Sequence, residues 1–70
     1  MVAWELQSRQ TEAIVRCVID QPESAVFRIQ ITHGVQEVMS QWYPSRREAL
    51  DRADSIQQNL LRQGWASIGR

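Results

Sequence analysis

Residues 25 to 32, AVFRIQIT, alternate without a break: Phe27, Ile29 and Ile31 fall on one side, Arg28, Gln30 and Thr32 on the other. A period of two marks a strand with one buried and one solvated face. Such a strand needs neighbours to satisfy its backbone and a second layer to cover its apolar side. The rest of the chain has to supply both.

The neighbours are legible on either side. After His33-Gly34, residues 35 to 42, VQEVMSQW, return as a strand, and a two-residue loop with Gly second suits a hairpin that requires positive φ. That loop pairs Thr32 with Val35, Ile29 with Val38, Phe27 with Ser40 and Ala25 with Trp42, gathering the apolar residues on one face. The opposite face then sets Gln30 against Glu37 and Arg28 against Met39. Upstream, residues 13 to 19, AIVRCVI, are β-branched and apolar, and DQPES supplies turn chemistry with Pro22. Two registers of this first hairpin keep Val15, Cys17 and Ile19 on the apolar side. The one that places Arg16 beside Gln30 avoids setting Arg16 against Arg28. Residues 1 to 12, where Trp4, Leu6 and Ser8 alternate, are expected to add an edge strand.

The covering layer follows. In WYPSRREAL, Ser45 to Glu48 match a capping box and Pro44 suits the approach to a helix rather than its interior. From Arg46 to Gln63, Ala49, Leu50, Ala53, Ile56, Leu60 and Leu61 fall within an arc of roughly 140°, interrupted by Gln57. Arg47 with Asp51 and Glu48 with Arg52 stand four apart on the solvent side, so the Arg46-Arg47 pair reads as a solvated first turn rather than a basic patch. Gly64 can close the helix in the left-handed conformation, with Trp65 packing back on Leu60. Residues 66 to 70 are expected as a tail, with Ile68 docked and Gly69-Arg70 frayed. The fold class is therefore α+β: an antiparallel β-meander of three strands, four if the N-terminal segment joins, followed by one C-terminal α-helix packed on one face. Residues 1 to 70 are expected to form a single small domain.

Composition narrows function. A chain of 70 residues buries only about 60% of its unfolded surface, so stability is marginal. Eight Arg balance eight carboxylates, giving zero net charge without a single Lys, and no global field steers the chain toward nucleic acid or acidic lipid. The one cysteine, Cys17, sits in an apolar run as a core residue, and with the one histidine, His33, it does not make a zinc site. The three glycines are isolated, so no loop cradles a phosphate. The carboxylate pairs Asp51 with Asp54 and Asp20 with Glu23 lie on a helix flank and a turn, without an apolar pocket to raise a pKa. Neither catalysis nor a cofactor or metal is expected. With no signal-like N-terminus and no run of about 18 apolar residues, a cytoplasmic location without membrane contact is expected.

The face turned away from the helix carries the functional expectation. It brings together Arg16, Val18, Val26, Arg28, Gln30, Glu37 and Met39, flanked by Ile14, Thr32, Val35 and Gln41, a mixture too apolar for open solvent. This face suits protein contact. The chain is thus expected to be a non-catalytic protein-interaction module that binds another protein or forms a homo-oligomer through that face or an edge strand. The alternative is a nucleic-acid-binding module. Over residues 13 to 64 the element order resembles that of the DNA-binding domains of some phage-type integrases. The resemblance implies Arg16 and Arg28 as base readers and Arg9 as a phosphate contact. Neutral charge disfavours it, because nucleic-acid affinity comes largely from phosphate neutralisation.

Overall fold

A computed structural model describes residues 1–68. Four strands, β1 (Val2–Ser8), β2 (Ile14–Glu23), β3 (Val26–His33) and β4 (Gln36–Tyr43), form an antiparallel meander, followed by helix α1 (Arg46–Arg62) and a short strand β5 (Trp65–Ser67). The order across the sheet is β4-β3-β2-β1-β5. After β4, α1 crosses one face from edge to edge and delivers β5 against β1, pairing Leu6 with Ser67 and Ser8 with Trp65. The C-terminal tail expectation is corrected here. The outer side of β1 offers unsatisfied backbone groups, and the chain leaving α1 meets them, with the Ile68 amide donating to the Glu5 carbonyl at 3.3 Å. Gly69-Arg70, expected to fray, lie outside the described residues.

The helix-facing side holds the core. Leu6, Cys17 and Ile29 are fully buried, joined by Trp4, Val15, Ile19 and Ile31, with Ala49 and Ala53 from α1. Small residues at 49 and 53 let the helix backbone approach the sheet closely, and the Trp4 indole uses that proximity to donate to the Ala53 carbonyl at 2.8 Å. Phe27, Met39, Tyr43, Ile56, Leu60, Leu61 and Trp65 pack around this centre. Of the expected helical stripe only Leu50 stays largely outside, at 38% exposure near the N-terminal strand. Trp4 and Leu6 thus serve the helix side, and the N-terminal segment does not cover the other face.

The helix begins and ends as its residues dictate. Ser45 Oγ accepts from the Glu48 amide at 3.2 Å, and the same hydroxyl donates to the Glu48 carboxylate, which therefore bonds the cap side chain rather than its amide. Gly64, at φ +101°, closes the last turn while the Gln63 amide donates to the carbonyls of Asn59 and Leu60. Among the described residues neither Arg47 with Asp51 nor Glu48 with Arg52 forms an ion pair; those present are Arg16 with Glu5 and Arg28 with Asp20.

Both hairpin registers differ from expectation, for identifiable reasons. In the first, the turn is Ser24-Ala25, with Ala25 at φ +60°, and an irregularity at Gln21-Pro22 takes up the remaining turn-like residues. Arg16 consequently lies opposite Thr32, and Asp20 opposite Arg28. This register keeps the expected parity, so Val15, Cys17 and Ile19 still face the helix. In the second, Gly34-Val35 forms the turn and His33 pairs with Gln36. Gly34 at φ +65° is the first central residue, the position where a II′ turn takes glycine. That shift alone preserves parity, but β4 then carries a bulge: Thr32 pairs with Glu37 and Ile31 with Met39, leaving Val38 as the extra residue. One inserted residue flips every side chain beyond it. Met39 and Gln41, expected on the outer face, therefore face the helix side opposite Ile31 and Ile29, while Ser40 and Trp42 take the outer positions opposite Gln30 and Arg28.

Candidate functional site

Six of the seven residues expected at a partner surface, Arg16, Val18, Val26, Arg28, Gln30 and Glu37, lie on the outer face; Met39 does not. The polar members of that face satisfy one another. Arg16 Nε donates to the Glu5 carboxylate at 2.9 Å. Arg28 Nε donates to Asp20 Oδ1 at 3.0 Å and its second nitrogen to Oδ2, a two-pronged pair across β2 and β3. The Asp20 carboxyl is held below its ordinary pKa, chiefly by that hydrogen bonding from Arg28. Gln30 Nε2 donates to Glu37 at 3.0 Å. The guanidinium of Arg28 also lies 5.5 Å from the ring centroid of Trp42, within cation-π range. This face is more internally paired than the sequence suggests, because Asp20 and Glu5 stand opposite Arg28 and Arg16, while Ser40 and Trp42 take the β4 positions expected for Met39 and Gln41.

The unsatisfied surface lies instead along β4. The two edges of the sheet are unlike: β5 is three residues long, whereas β4 runs for eight and, among the described residues, pairs only with β3. The direction of its free backbone groups follows from the ladder. The Gly34 amide donates to the Ile14 carbonyl, so even-numbered positions of β3 turn their backbone toward β2 and odd ones toward β4. Ser40 and Trp42, opposite Gln30 and Arg28, therefore aim their N–H and C=O groups at the open side. Around them stand exposed apolar side chains: Trp42 at 54%, Val38 at 56% and Val35 fully out at the hairpin tip. From Met39 to Tyr43 the strand carries no charge and no proline, the devices that ordinarily blunt an edge. Only the bulge at Val38 interrupts it.

Beside this edge, on the helix side, Val38 and Met39 open onto an apolar cleft of about 420 Å³ walled by Val15, Ile31, Ile56, Leu60 and Trp65. His33 stands edge-on to Trp65 at 6.1 Å between centroids and closes one end. The bulge is what the sequence reading missed. Its trace is that residues 35 to 43 do not alternate: polar Gln36-Glu37 and Ser40-Gln41 flank the apolar pair Val38-Met39.

Cys17 is buried, and desolvation pushes its thiol up to about 11, away from the thiolate that nucleophilic chemistry requires. Among the described residues no three His, Cys, Asp or Glu side chains converge as a metal site, and no helix is long and apolar enough to cross a membrane. No protein-family model, curated protein or solved structure matches the chain.

Proposed function

We propose that this chain is a small non-catalytic protein-interaction module whose contact surface is the β4 edge, which takes up an extended strand from a partner. The observation that carries this reading is the uncharged run Met39 to Tyr43, whose outward backbone groups at Ser40 and Trp42 have no partner strand among the described residues and stand beside exposed Val38 and Trp42. Strand addition draws affinity from main-chain hydrogen bonds and specificity from pockets that accept alternate side chains. The cleft next to Val38 and Met39 is placed to receive one such side chain. Nucleic-acid binding draws less support: Arg16 and Arg28, its intended readers, each already engage a carboxylate.

A proline at position 40 tests the reading. The Ser40 amide points away from β3, so Ser40→Pro removes an outward donor without breaking the existing ladder. The probe is a labelled eight-residue peptide of alternating Val and Thr, flanked by lysines for solubility and followed by fluorescence anisotropy. The parent chain is expected to bind it, and the Ser40→Pro variant to retain its circular dichroism while losing at least tenfold in affinity. Equal binding by both would remove β4 as the site.

A further inference from the structure

Resting on the strand-addition reading, we infer that the strand received by β4 is β4 of a second copy, paired antiparallel about a two-fold axis at Gln41. Two such sheets, each of five strands, then join into one continuous sheet. Three observations select this occupant and register.

The first is backbone direction. An axis at Gln41 sets Ser40 of each copy opposite Trp42 of the other, and those are the residues whose N–H and C=O groups already face outward. Each such pair exchanges two hydrogen bonds, so the ladder closes with four. An axis at Trp42 sets Ser40 opposite Pro44, which has no amide to give. An axis at Ser40 draws the bulged Val38 into the ladder.

The second is face. With the axis at Gln41, Met39 lies across from Tyr43 of the other copy, and both belong to the helix side. Trp42 lies across from the small Ser40 on the outer side. No position of the pairing turns an apolar side chain to the wrong face.

The third is charge. The ends of β4 carry opposite signs: Glu37 near its start and the exposed Arg47 just past its end, whereas Arg46 turns back over the sheet to donate to Met1 Sδ at 3.9 Å. Antiparallel pairing brings each Glu37 opposite residue 45 of the other copy, near Arg47, and holds the two Glu37 side chains roughly 25 Å apart, well beyond the screening length. A parallel neighbour would stack Glu37 on Glu37. Arg47, slightly unfavourable at a helix N-terminus, thereby gains a counter-charge.

The experiment combines solution mass with a geometric trap. Sedimentation of the full chain is expected to show a dimer at tens of micromolar. A Gln41→Cys variant places two thiols at the axis with Cα atoms about 4.5 Å apart, within disulfide range, and is expected to cross-link under mild oxidation. Cys17 is buried and does not compete. A Gln36→Cys control, beyond the ladder, should remain uncross-linked. Glu37→Arg should weaken the dimer by up to about tenfold, and adding Arg47→Glu to the same chain should restore it, which a merely structural role for either residue would not produce. A monomer at all accessible concentrations, or a dimer in which Gln41→Cys does not cross-link, overturns the inference. If the Val-Thr peptide still binds in a manner sensitive to Ser40→Pro, the fault lies with the choice of occupant; if it does not, the edge reading fails as well.

Discussion

The two faces of this sheet are built from the same strands by the same alternation, yet they solve different problems. On the helix side every strand contributes to one apolar cluster, centred on Leu6, Cys17 and Ile29, with one buried side-chain hydrogen bond inside it among the described residues, the Trp4 indole to Ala53. On the outer side charges are matched across strands, Glu5 with Arg16 and Asp20 with Arg28, and the apolar residues Val18 and Val26 are only half buried between them. A single helix covers one face; on the other, neighbouring strands bring opposite charges side by side, which a sheet tolerates at little cost. A large uncovered apolar face would demand a partner. Internal pairing relieves that demand here and moves the open question to the β4 edge.

The contrast can be broken most forcefully at its centre. Ile29→Ala removes a fully buried side chain, and such truncations cost about 2–5 kcal/mol, a large part of the stability of a domain this small. Chemical denaturation should show the midpoint collapsing, whereas Val18→Ala on the outer face should move it by much less. An equal effect of the two would mean that the faces are not distinct.

A subtler cut sharpens the comparison from inside the core. Trp4→Phe keeps an aromatic ring but leaves the Ala53 carbonyl without its indole donor, and a net loss of about 1 kcal/mol is expected in the same measurement. Hydrogen exchange across the middle of α1 should accelerate in parallel, because the bond ties the helix to β1 across 49 residues of chain.

The smallest effect belongs to the outer face and depends on pH. Because Arg28 depresses the Asp20 pKa in the folded chain, the pair contributes stability above the ordinary carboxylate range, lost as pH falls through the depressed value. Asp20→Asn should therefore be less stable than the parent at neutral pH, and the difference should shrink as the solution is acidified below about pH 4. A gap that widened in acid would contradict the pairing.

Much of this was legible in the sequence. The alternation of AVFRIQIT located β3 and its two faces, the serine and glycine at 45 and 64 bracketed α1, and the parity of Val15, Cys17 and Ile19 assigned β2 its core side. Along β4 the reading failed on matters of a single residue. The tight turn sits at Gly34-Val35 rather than His33-Gly34, and Val38 is an insertion in the ladder, so Trp42 emerged outside and Met39 within. The candidate edge was foreseen only as one option among several. That β4 rather than the N-terminal strand remains open depends on β5 docking beside β1, and a three-residue strand leaves hardly any pattern to read.

What the residues alone determined is the set of elements and the sidedness of most of them, because periodicity and capping are local and act before any tertiary contact forms. Which strand lies at an open edge, and which side chains of β4 face the helix, was decided only when the layers packed. A bulge shifts one residue and a crossover chooses an edge, and both are settled by the fit of Trp4, Met39 and Trp65 against α1 rather than by anything the chain carries within a single segment.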